Sequence, residues 1–248
     1  METVTHEVAP GVYRLSTLVT LPGVPQPMAT NQFLVVDEEP VLVHTGFGAL
    51  FPDVSRAVSR VIALDRVRWI TFGHVEADQC GGLDRWQAAT GATVVVPQHP
   101  SHGPGSPWMP APDDGGLAVG ALRLDWLPTA HLPQGWGAHV IVERTSGVMF
   151  CGDLFAHLGP VPALTVDGDA VERSLAADRT LGWCRPSVES SVRLRELAGE
   201  APRTLLPMHG PGMVGDARQA LRDLADAHGS QAGNQPDAPP STRQDASR

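Results

Sequence analysis

The chain has 248 residues, 42% of them apolar, and a formal net charge of −9. This size and composition suffice to bury a substantial core, and we expect one α/β domain rather than two small ones. All 18 basic residues are arginines and they form no basic cluster. The composition therefore argues against nucleic-acid binding and excludes a lysine nucleophile.

Nine apolar stretches rich in β-branched residues predict strands, at residues 11–19, 31–37, 40–46, 67–72, 92–97, 121–127, 138–144, 147–153 and 203–209. Helical patterns separate them at residues 53–65, 187–200 and 215–229. In the first helical pattern Val54, Val58 and Val61 share one face, and Asp53 is a candidate N-cap. The pattern by itself predicts an α/β or α+β fold.

The sequence shows neither an N-terminal secretory signal nor a membrane-spanning stretch. The N-terminal segment lacks a basic start with an apolar stretch, and no segment approaches the ~18 apolar residues of a membrane span. We therefore predict a soluble, cytoplasmic protein, in which Cys80, Cys151 and Cys184 are reduced thiols. Residues 1–228 are predicted to form the domain. Residues 229–248 are predicted to be a disordered tail, because they are too polar to offset chain entropy.

The segment at residues 73–82, GHVEADQCGG, follows an apolar run and carries three metal-capable side chains. His74, Glu76 and Asp78 lie two residues apart, so in an extended or tightly turned segment they are expected to leave the same face. More donors follow predicted strands further on, namely His131, Asp153 and His209.

The donor types indicate the kind of metal site. Imidazole and carboxylate together suit iron, manganese or zinc, and the motif lacks the thiolates of a structural zinc site. The carboxylates of Glu76, Asp78 and Asp153 bring three negative charges. Together with one bridging hydroxide they would neutralise two divalent cations. Hard oxygen donors also stabilise ferric iron, a property that a zinc hydrolase does not need.

These motifs resemble the metallo-β-lactamase superfamily, whose common motif is His-x-His-x-Asp-His. They are most similar to its diiron branch, which comprises the diiron domain of flavodiiron proteins and the stand-alone oxygen-binding diiron proteins. That branch has a glutamate in the second position, as at Glu76. Similar landmarks are AHLPQGWGAHVIV around His131, MFCGDLFAHLG around Asp153 and PMHGPG around His209, and the resemblance covers residues 8 to 228.

The resemblance implies an αββα sandwich and a non-haem diiron centre bridged by an oxo or hydroxo group. One iron would be bound by His74, Glu76 and His131, and the other by Asp78 and His209. Asp153 would bridge the two. No catalytic residue beyond these ligands is implied, and zinc is the alternative metal.

The sequence departs from the superfamily pattern at two positions. Gln79 stands where the motif usually ends in histidine, so we expect one metal to lose a protein donor. His44 stands where the superfamily usually has the aspartate of Asp-Thr-Gly, and it is expected to change the hydrogen bond that orients a ligand. Cys80 and His157 are further candidates for contacts with the ligands, whereas His228, near the end of the chain, is expected to be exposed.

The resemblance implies that the protein binds or reduces dioxygen, or nitric oxide, as an oxygen binder, sensor or reductase. A metal-dependent hydrolase of a thioester, lactone or β-lactam is one alternative. It is disfavoured by the glutamate at position 76 and the glutamine at position 79. A diiron oxygenase of a small organic substrate is another, with the loop from Gln98 to Asp114 as its pocket. Trp108 and Trp136 are candidates for the mouth of the site.

Partners follow from the same resemblance. Flavodiiron proteins carry a fused flavodoxin-like domain, and since none follows here we expect a separate electron donor protein to be needed for multiple turnovers. A homodimer is implied only at the level of the family. Neither nucleic acid nor a membrane is expected as a partner.

Overall fold

The computed structural model describes residues 1–97, 108–112, 116–130, 132, 137–166, 169–184 and 186–232. Within these ranges the chain forms two seven-stranded sheets. The first sheet has the strand order β1 to β7, in sequence. Its strands are β1 (Thr3–Ala9), β2 (Val12–Val19), β3 (Met28–Val35), β4 (Val41–Val43), β5 (Trp69–Thr71), β6 (Thr93–Val96) and β7 (Met109–Pro110).

The second sheet has the order β12-β14-β13-β11-β10-β9-β8. Its strands are β8 (Gly116–Val119), β9 (Leu122–Pro128), β10 (His139–Glu143), β11 (Val148–Gly152), β12 (Leu164–Thr165), β13 (Thr204–Pro207) and β14 (Gly212–Val214). Each sheet contains both parallel and antiparallel pairs of neighbouring strands. The pairs β4/β5 and β11/β13 are parallel, with Val43 opposite Thr71 and Phe150 opposite Leu206.

Helices cover the outer faces of both sheets. They are α1 (Phe51–Val58), α2 (Ala77–Cys80), α3 (Leu83–Thr90), α4 (Ala170–Leu181), α5 (Val188–Gly199) and α6 (Ala217–Ala232). The helix α5 begins with a capping box in which Ser187 and Ser190 each accept the other's backbone N–H. The expected cap Asp53 instead lies inside the first turn of α1, because the helix starts earlier and has Pro52 in its first turn.

Three apolar layers follow from the alternation of side chains along the strands. Phe33 and Phe150 lie in the layer between the two sheets. Leu34, the neighbour of Phe33 on β3, points instead to the layer that includes Trp86 of α3. Met149 of β11 packs with residues of α4, α5 and α6. The order of layers is helix, sheet, sheet, helix, so the predicted αββα sandwich is confirmed.

All nine predicted strand stretches overlap strands of the structure. Five strands escaped prediction: the edge strand β1 and the short strands β7, β8, β12 and β14. Helix α6 ends at Ala232, four residues beyond the predicted end of the domain at 228. Residues 229–232 of the predicted disordered tail belong to α6, and the rest of that tail, from residue 233, lies outside the described residues. Among the described residues, no helix is both long and apolar enough to span a bilayer.

The sheets are joined by hydrogen bonds near the ends of β5 and β13. The backbone N–H of Asn31 donates to the carbonyl of Met208 at 2.9 Å. The side-chain amide of Asn31 donates to the carbonyls of Pro207 and Gly210, each at 2.9 Å. The N–H of His139 donates to Gly73 at 3.0 Å. The loops that follow these strands are therefore fixed relative to each other.

Candidate metal centre

Loops and the short helix α2, at one edge of the sandwich, carry five of the six predicted ligands. His74 and Glu76 follow β5, and Asp78 lies on α2 directly behind them. Asp153 follows β11, and His209 follows β13. Because β5 belongs to the first sheet and β11 and β13 to the second, the ligands meet where the two sheets are joined.

Three of these side chains form a first triad, His74, Glu76 and Asp153, whose donor atoms lie within 4.8 Å of one another. His74 Nε2 lies 2.9 Å from Glu76 Oε2 and 3.6 Å from Asp153 Oδ2. The Glu76 side chain is 43% exposed, whereas that of Asp153 is 2% exposed. The first triad is thus open to solvent on the side of Glu76.

A second triad consists of Asp78, Asp153 and His209, also with donor atoms within 4.8 Å, and all three residues are buried. His209 Nε2 lies 2.9 Å from Asp78 Oδ2 and 3.7 Å from Asp153 Oδ1. The two carboxylate oxygens of Asp153 therefore face different triads. This is the geometry expected of a bridging carboxylate.

The segment that carries His74, Glu76 and Asp78 changes its backbone conformation within the motif. The chain is extended at Glu76, with φ −142° and ψ 157°, and then turns into the short helix α2. The helical turn separates Asp78 from Glu76, so the two carboxylates join different triads.

The donor set suits hard or borderline metal ions such as iron. Three carboxylates and two imidazoles converge without any thiolate, a combination typical of iron, manganese or zinc. Asp78 Oδ1 is buried and has no hydrogen-bond partner among the described residues. A buried carboxylate oxygen without a partner is costly, and a bound cation would satisfy it.

Burial and pairing act in opposite directions on the pKa values of the side chains in the second triad. Burial alone would lower the pKa of His209, but its hydrogen bond with Asp78 and the charge of Asp153 raise it above the usual value. Burial alone would raise the pKa of Asp78, but the hydrogen bond from His209 lowers it. For Asp153, burial outweighs the nearby histidines and raises the pKa. The pairing of Asp78 with His209 therefore favours the ionised form of each side chain.

Backbone groups and one aromatic ring hold His209 in place. His209 Nδ1 lies 2.9 Å from the carbonyl oxygen of Ala29, and the backbone N–H of His157 donates to the carbonyl of His209 at 2.6 Å. The ring of Trp183 lies 5.3 Å from that of His209, centroid to centroid. Sequence reasoning missed Trp183, because its position after α4 carries no motif.

Gln79 is completely buried and contacts the first triad. Its Oε1 accepts hydrogen bonds from the backbone N–H groups of Gly73 and His74, at 3.0 and 3.2 Å. Its Nε2 lies 2.9 Å from His74 Nδ1 and 3.5 Å from Asp153 Oδ1. The amide oxygen, the only atom of this side chain suited to bind a cation, is therefore directed at the backbone.

His44 lies beneath the site, 1% exposed, with a left-handed φ of 64°. Burial, together with the nearby His74 and His209, lowers the pKa of His44 to about 3, so its ring is neutral. Both ring nitrogens lack a hydrogen-bond partner within the described part of the chain. The expected hydrogen bond from this ring to a ligand is thus not formed there.

The remaining candidates have mainly structural contacts. Cys80 Sγ donates to the carbonyl of Glu76 at 3.2 Å, and burial raises the pKa of its thiol. Trp108 packs edge-on against Phe72 at 5.6 Å, in the layer beneath α1 and α3. His228, expected to be exposed, is 1% exposed and lies 2.8 Å from Ser190 Oγ between α5 and α6.

Some predicted residues fall outside the described ranges. These are His131, Trp136 and most of the loop from Gln98 to Asp114, including residues 98–107.

The sequence profile of one family, described as "ODP family beta lactamase", matches residues 28–177. No curated protein sequence matches the chain.

Solved structures with the same fold include rubredoxin oxygen:oxidoreductase from the anaerobe Desulfovibrio gigas, at a TM-score of 0.76 and 16% identity. That match covers 94% of this chain and 63% of the other, so the chain spans less than two thirds of that protein. A peroxy diiron species of the chemotaxis sensor ODP matches at a TM-score of 0.70 and 22% identity, over 91% of this chain and 94% of the other. The apo state of chemotaxis sensor ODP from T. denticola matches at a TM-score of 0.67 and 20% identity. That match covers 90% of this chain and 94% of the other.

Proposed function

The chain belongs to the family described as ODP family beta lactamase, and on this premise we propose that it is a non-haem diiron protein that binds and reduces dioxygen. The observation that carries the proposal is the pair of donor triads sharing Asp153. Proteins with the same fold include a peroxy diiron species of a chemotaxis sensor and an oxygen oxidoreductase, which supports the same assignment.

In the proposed centre, His74 and Glu76 would bind one iron, Asp78 and His209 would bind the other, and Asp153 would be shared by both. His131, which follows β9, is proposed to complete the first set. The three carboxylates offset most of the charge of two divalent ions and favour iron in its ferric state. When bound, two ferrous ions supply electrons for the reduction of dioxygen.

The protein's own residues control access and charge at this centre. Asp78, Asp153 and His209 are buried, so the second triad is shielded from bulk water. Glu76 is exposed on the other side, next to Val75, which is 59% exposed. We propose that a small diatomic molecule, dioxygen or nitric oxide, enters past Glu76. A separate electron donor protein would bind on this same side.

The choice of iron over zinc depends on Glu76. A carboxylate in this position adds a hard, anionic donor, which favours a redox-active ion over the imidazole-rich sites of zinc hydrolases. Zinc would supply only a water of lowered pKa, and the protein would then be a hydrolase.

The proposal is tested by metal analysis of protein purified without chelators from iron-supplemented medium. We expect about two irons per chain, and a new visible absorption band when the anaerobic ferrous protein meets oxygen. Zinc in place of iron, with no spectral response to oxygen, would overturn the proposal and would direct attention to hydrolase substrates.

A further inference from the structure

A cleft of about 200 Å³ lies between the helices α4 and α6, at the edge of the second sheet. Its lining is separate from the two triads and is mainly apolar, with Val166, Val171, Met213, Ala217 and Ala220. Val166 is 82% exposed, so the apolar surface continues outside the cleft. An apolar surface bordered by polar groups is typical of a site that binds another molecule.

Two carboxylates border this cleft, Asp216 directly before α6 and Asp223 within it. They are seven residues apart, so about 10 Å and almost two full turns separate them on one side of the helix. Oδ1 of Asp216 accepts from the backbone N–H of Gln219 at 2.9 Å, and Oδ1 of Asp223 accepts from its Nε2 at 2.8 Å. Within the described ranges neither carboxylate has an ion-pair partner, whereas Asp226 on the same helix pairs with Arg195. One oxygen of each carboxylate is therefore available to a cation.

The charge and shape of the cleft indicate what would fill it. No basic residue lines it among the described residues, and the chain has a formal net charge of −9. An arginine side chain packs its aliphatic stem against apolar surface while its guanidinium binds a carboxylate. Two arginines about 10 Å apart, with an apolar side chain between them, match the two carboxylates and the apolar lining. In the polyproline II conformation, residues i and i+3 face the same side at about 9 Å, so a segment Arg-x-x-Arg has this spacing.

Contacts at both ends of α4 connect the cleft to His209. Ala170, the first residue of α4, lines the cleft, and its carbonyl oxygen accepts from His157 Nε2 at 3.3 Å. The backbone N–H of His157 donates to the carbonyl of His209 at 2.6 Å. Beyond the other end of α4, the ring of Trp183 lies 5.3 Å from that of His209. The helix that forms one wall of the cleft is therefore tied to both the backbone and the ring of His209.

We propose that this cleft is the docking site for a basic segment Arg-x-x-Arg of a partner protein, with an apolar residue between the arginines. We further propose that a metal ion at the second triad strengthens this docking. A bound ion fixes His209 and with it α4, so the partner loses less conformational entropy in ordering the cleft. The docking itself does not depend on the metal centre, whereas its dependence on metal rests on the proposed function.

The docking is tested by fluorescence anisotropy with the full chain in its metal-free form. The probe is the peptide Gly-Ala-Arg-Pro-Leu-Arg-Ala-Gly-amide, labelled with fluorescein at its N-terminus, and the control peptide has glutamine at both arginine positions. Two exposed ion pairs should make the arginine peptide bind about five- to tenfold more tightly. Equal affinities for the two peptides, or no binding of either, would overturn the docking site.

Substitutions on α6 test whether the peptide binds at the cleft. The double variant Asp216→Asn with Asp223→Asn removes both charges, keeps an oxygen for each contact with Gln219 and should lose most of the preference for arginine. Asp226→Asn is the matched control, because this residue lies on the same helix outside the cleft. It should bind like the wild type. An equal loss of affinity in the control would show general attraction to an acidic surface and would overturn the assignment.

A second copy of the chain is the other occupant to test. Sedimentation velocity at several protein concentrations measures the oligomeric state without peptide. We expect the double variant to have the same oligomeric state as the wild type. A dimer that the double variant abolishes would show that a second copy fills the cleft, and it would overturn the assignment to another protein.

The dependence on metal is measured by repeating the titration after anaerobic addition of ferrous iron, with iron content determined in the same samples. The peptide should bind at least threefold more tightly to the iron-loaded protein. His157→Leu and Trp183→Leu each break one contact between α4 and His209, and each should reduce this ratio. Equal affinities with iron bound, or an undiminished ratio in both variants, would contradict the connection through α4 and leave the diiron proposal intact. Absence of iron binding would overturn the proposed function and the dependence on metal, while the result for the metal-free protein still decides the docking.

Discussion

Replacing Asp153 with asparagine tests the central feature of the site, one carboxylate shared by two triads. Its oxygens lie 3.6 Å from His74 Nε2 and 3.7 Å from His209 Nε2, so each faces the space where one metal would bind. A unit charge pair about 4 Å apart contributes about 4 kcal/mol at an effective dielectric constant of about 20. At about 1.4 kcal/mol per tenfold change, the loss of this charge should weaken each metal site about a thousandfold.

The same substitution should not destabilise the metal-free protein. Burial raises the pKa of Asp153 above its usual value, so the ionised form costs stability at every pH above the unfolded pKa of about 4. A neutral, isosteric asparagine side chain at this position would remove that cost. We therefore expect an equal or higher Tm for metal-free Asp153→Asn at pH 7, together with the loss of tight iron binding.

The assay pairs anaerobic equilibrium dialysis against ferrous iron with thermal unfolding of the metal-free protein. Asp178→Asn is the matched control. Asp178 is also a buried carboxylate, and burial raises its pKa to about 7, but it belongs to neither triad. The control should gain stability and keep its iron. Unchanged binding of two irons by Asp153→Asn would refute the shared-ligand geometry, and a Tm well below that of the wild type would assign Asp153 a structural role instead.

Three further predictions concern pH, packing and metal choice. The pKa of His209 is raised, so a proton on this ring competes with the metal ion. Iron affinity measured by dialysis should therefore fall about tenfold per pH unit below that pKa. An affinity that stays constant from pH 5 to 8 would contradict this. Gly73→Ala puts a Cβ 2.4 Å from the carbonyl oxygen of His139 and should cost about 1–3 kcal/mol in urea unfolding. Gly199→Ala, with open space around it, serves as its control, and equal stability of the two variants would count against the clash. Glu76→His should shift the metal content from iron towards zinc, whereas unchanged iron content and oxygen reactivity would disprove the role of the carboxylate.

The strands that the sequence predicted are those whose signal is local. An apolar β-branched run such as that of β10 predicts a strand from its own residues. The strands β7 and β12, with two residues each, are too short to show such a pattern. Such short strands are defined by the neighbours with which they pair, which no local pattern reveals. Asp53 has the residue type of an N-cap but is not one. Pro52 is compatible with the first turn of a helix, so α1 begins before Pro52 and includes Asp53.

Strand ends indicated the members of the site, whereas their division between two metal ions was implied only by the family resemblance. Donors that directly follow strands, such as Asp153 and His209, were identified because strand ends meet at sheet edges. The division of Glu76 and Asp78 between two triads depends on the turn into α2, and spacing alone did not predict it. The contact of Trp183 with His209 joins residues of distant segments, so no sequence pattern marks it.

Each triad takes ligands from loops of both sheets, because His74, Glu76 and Asp78 follow the first sheet and Asp153 and His209 the second. Any opening between the layers at this edge would pull every bound ion away from some of its ligands. Metal occupancy and the closure of the sandwich are therefore thermodynamically linked. At a free metal concentration about one hundred times the Kd, one site adds about 2.7 kcal/mol to the free energy of unfolding. The backbone amides of β5 and β13 should therefore exchange their hydrogens more slowly as the free iron concentration rises.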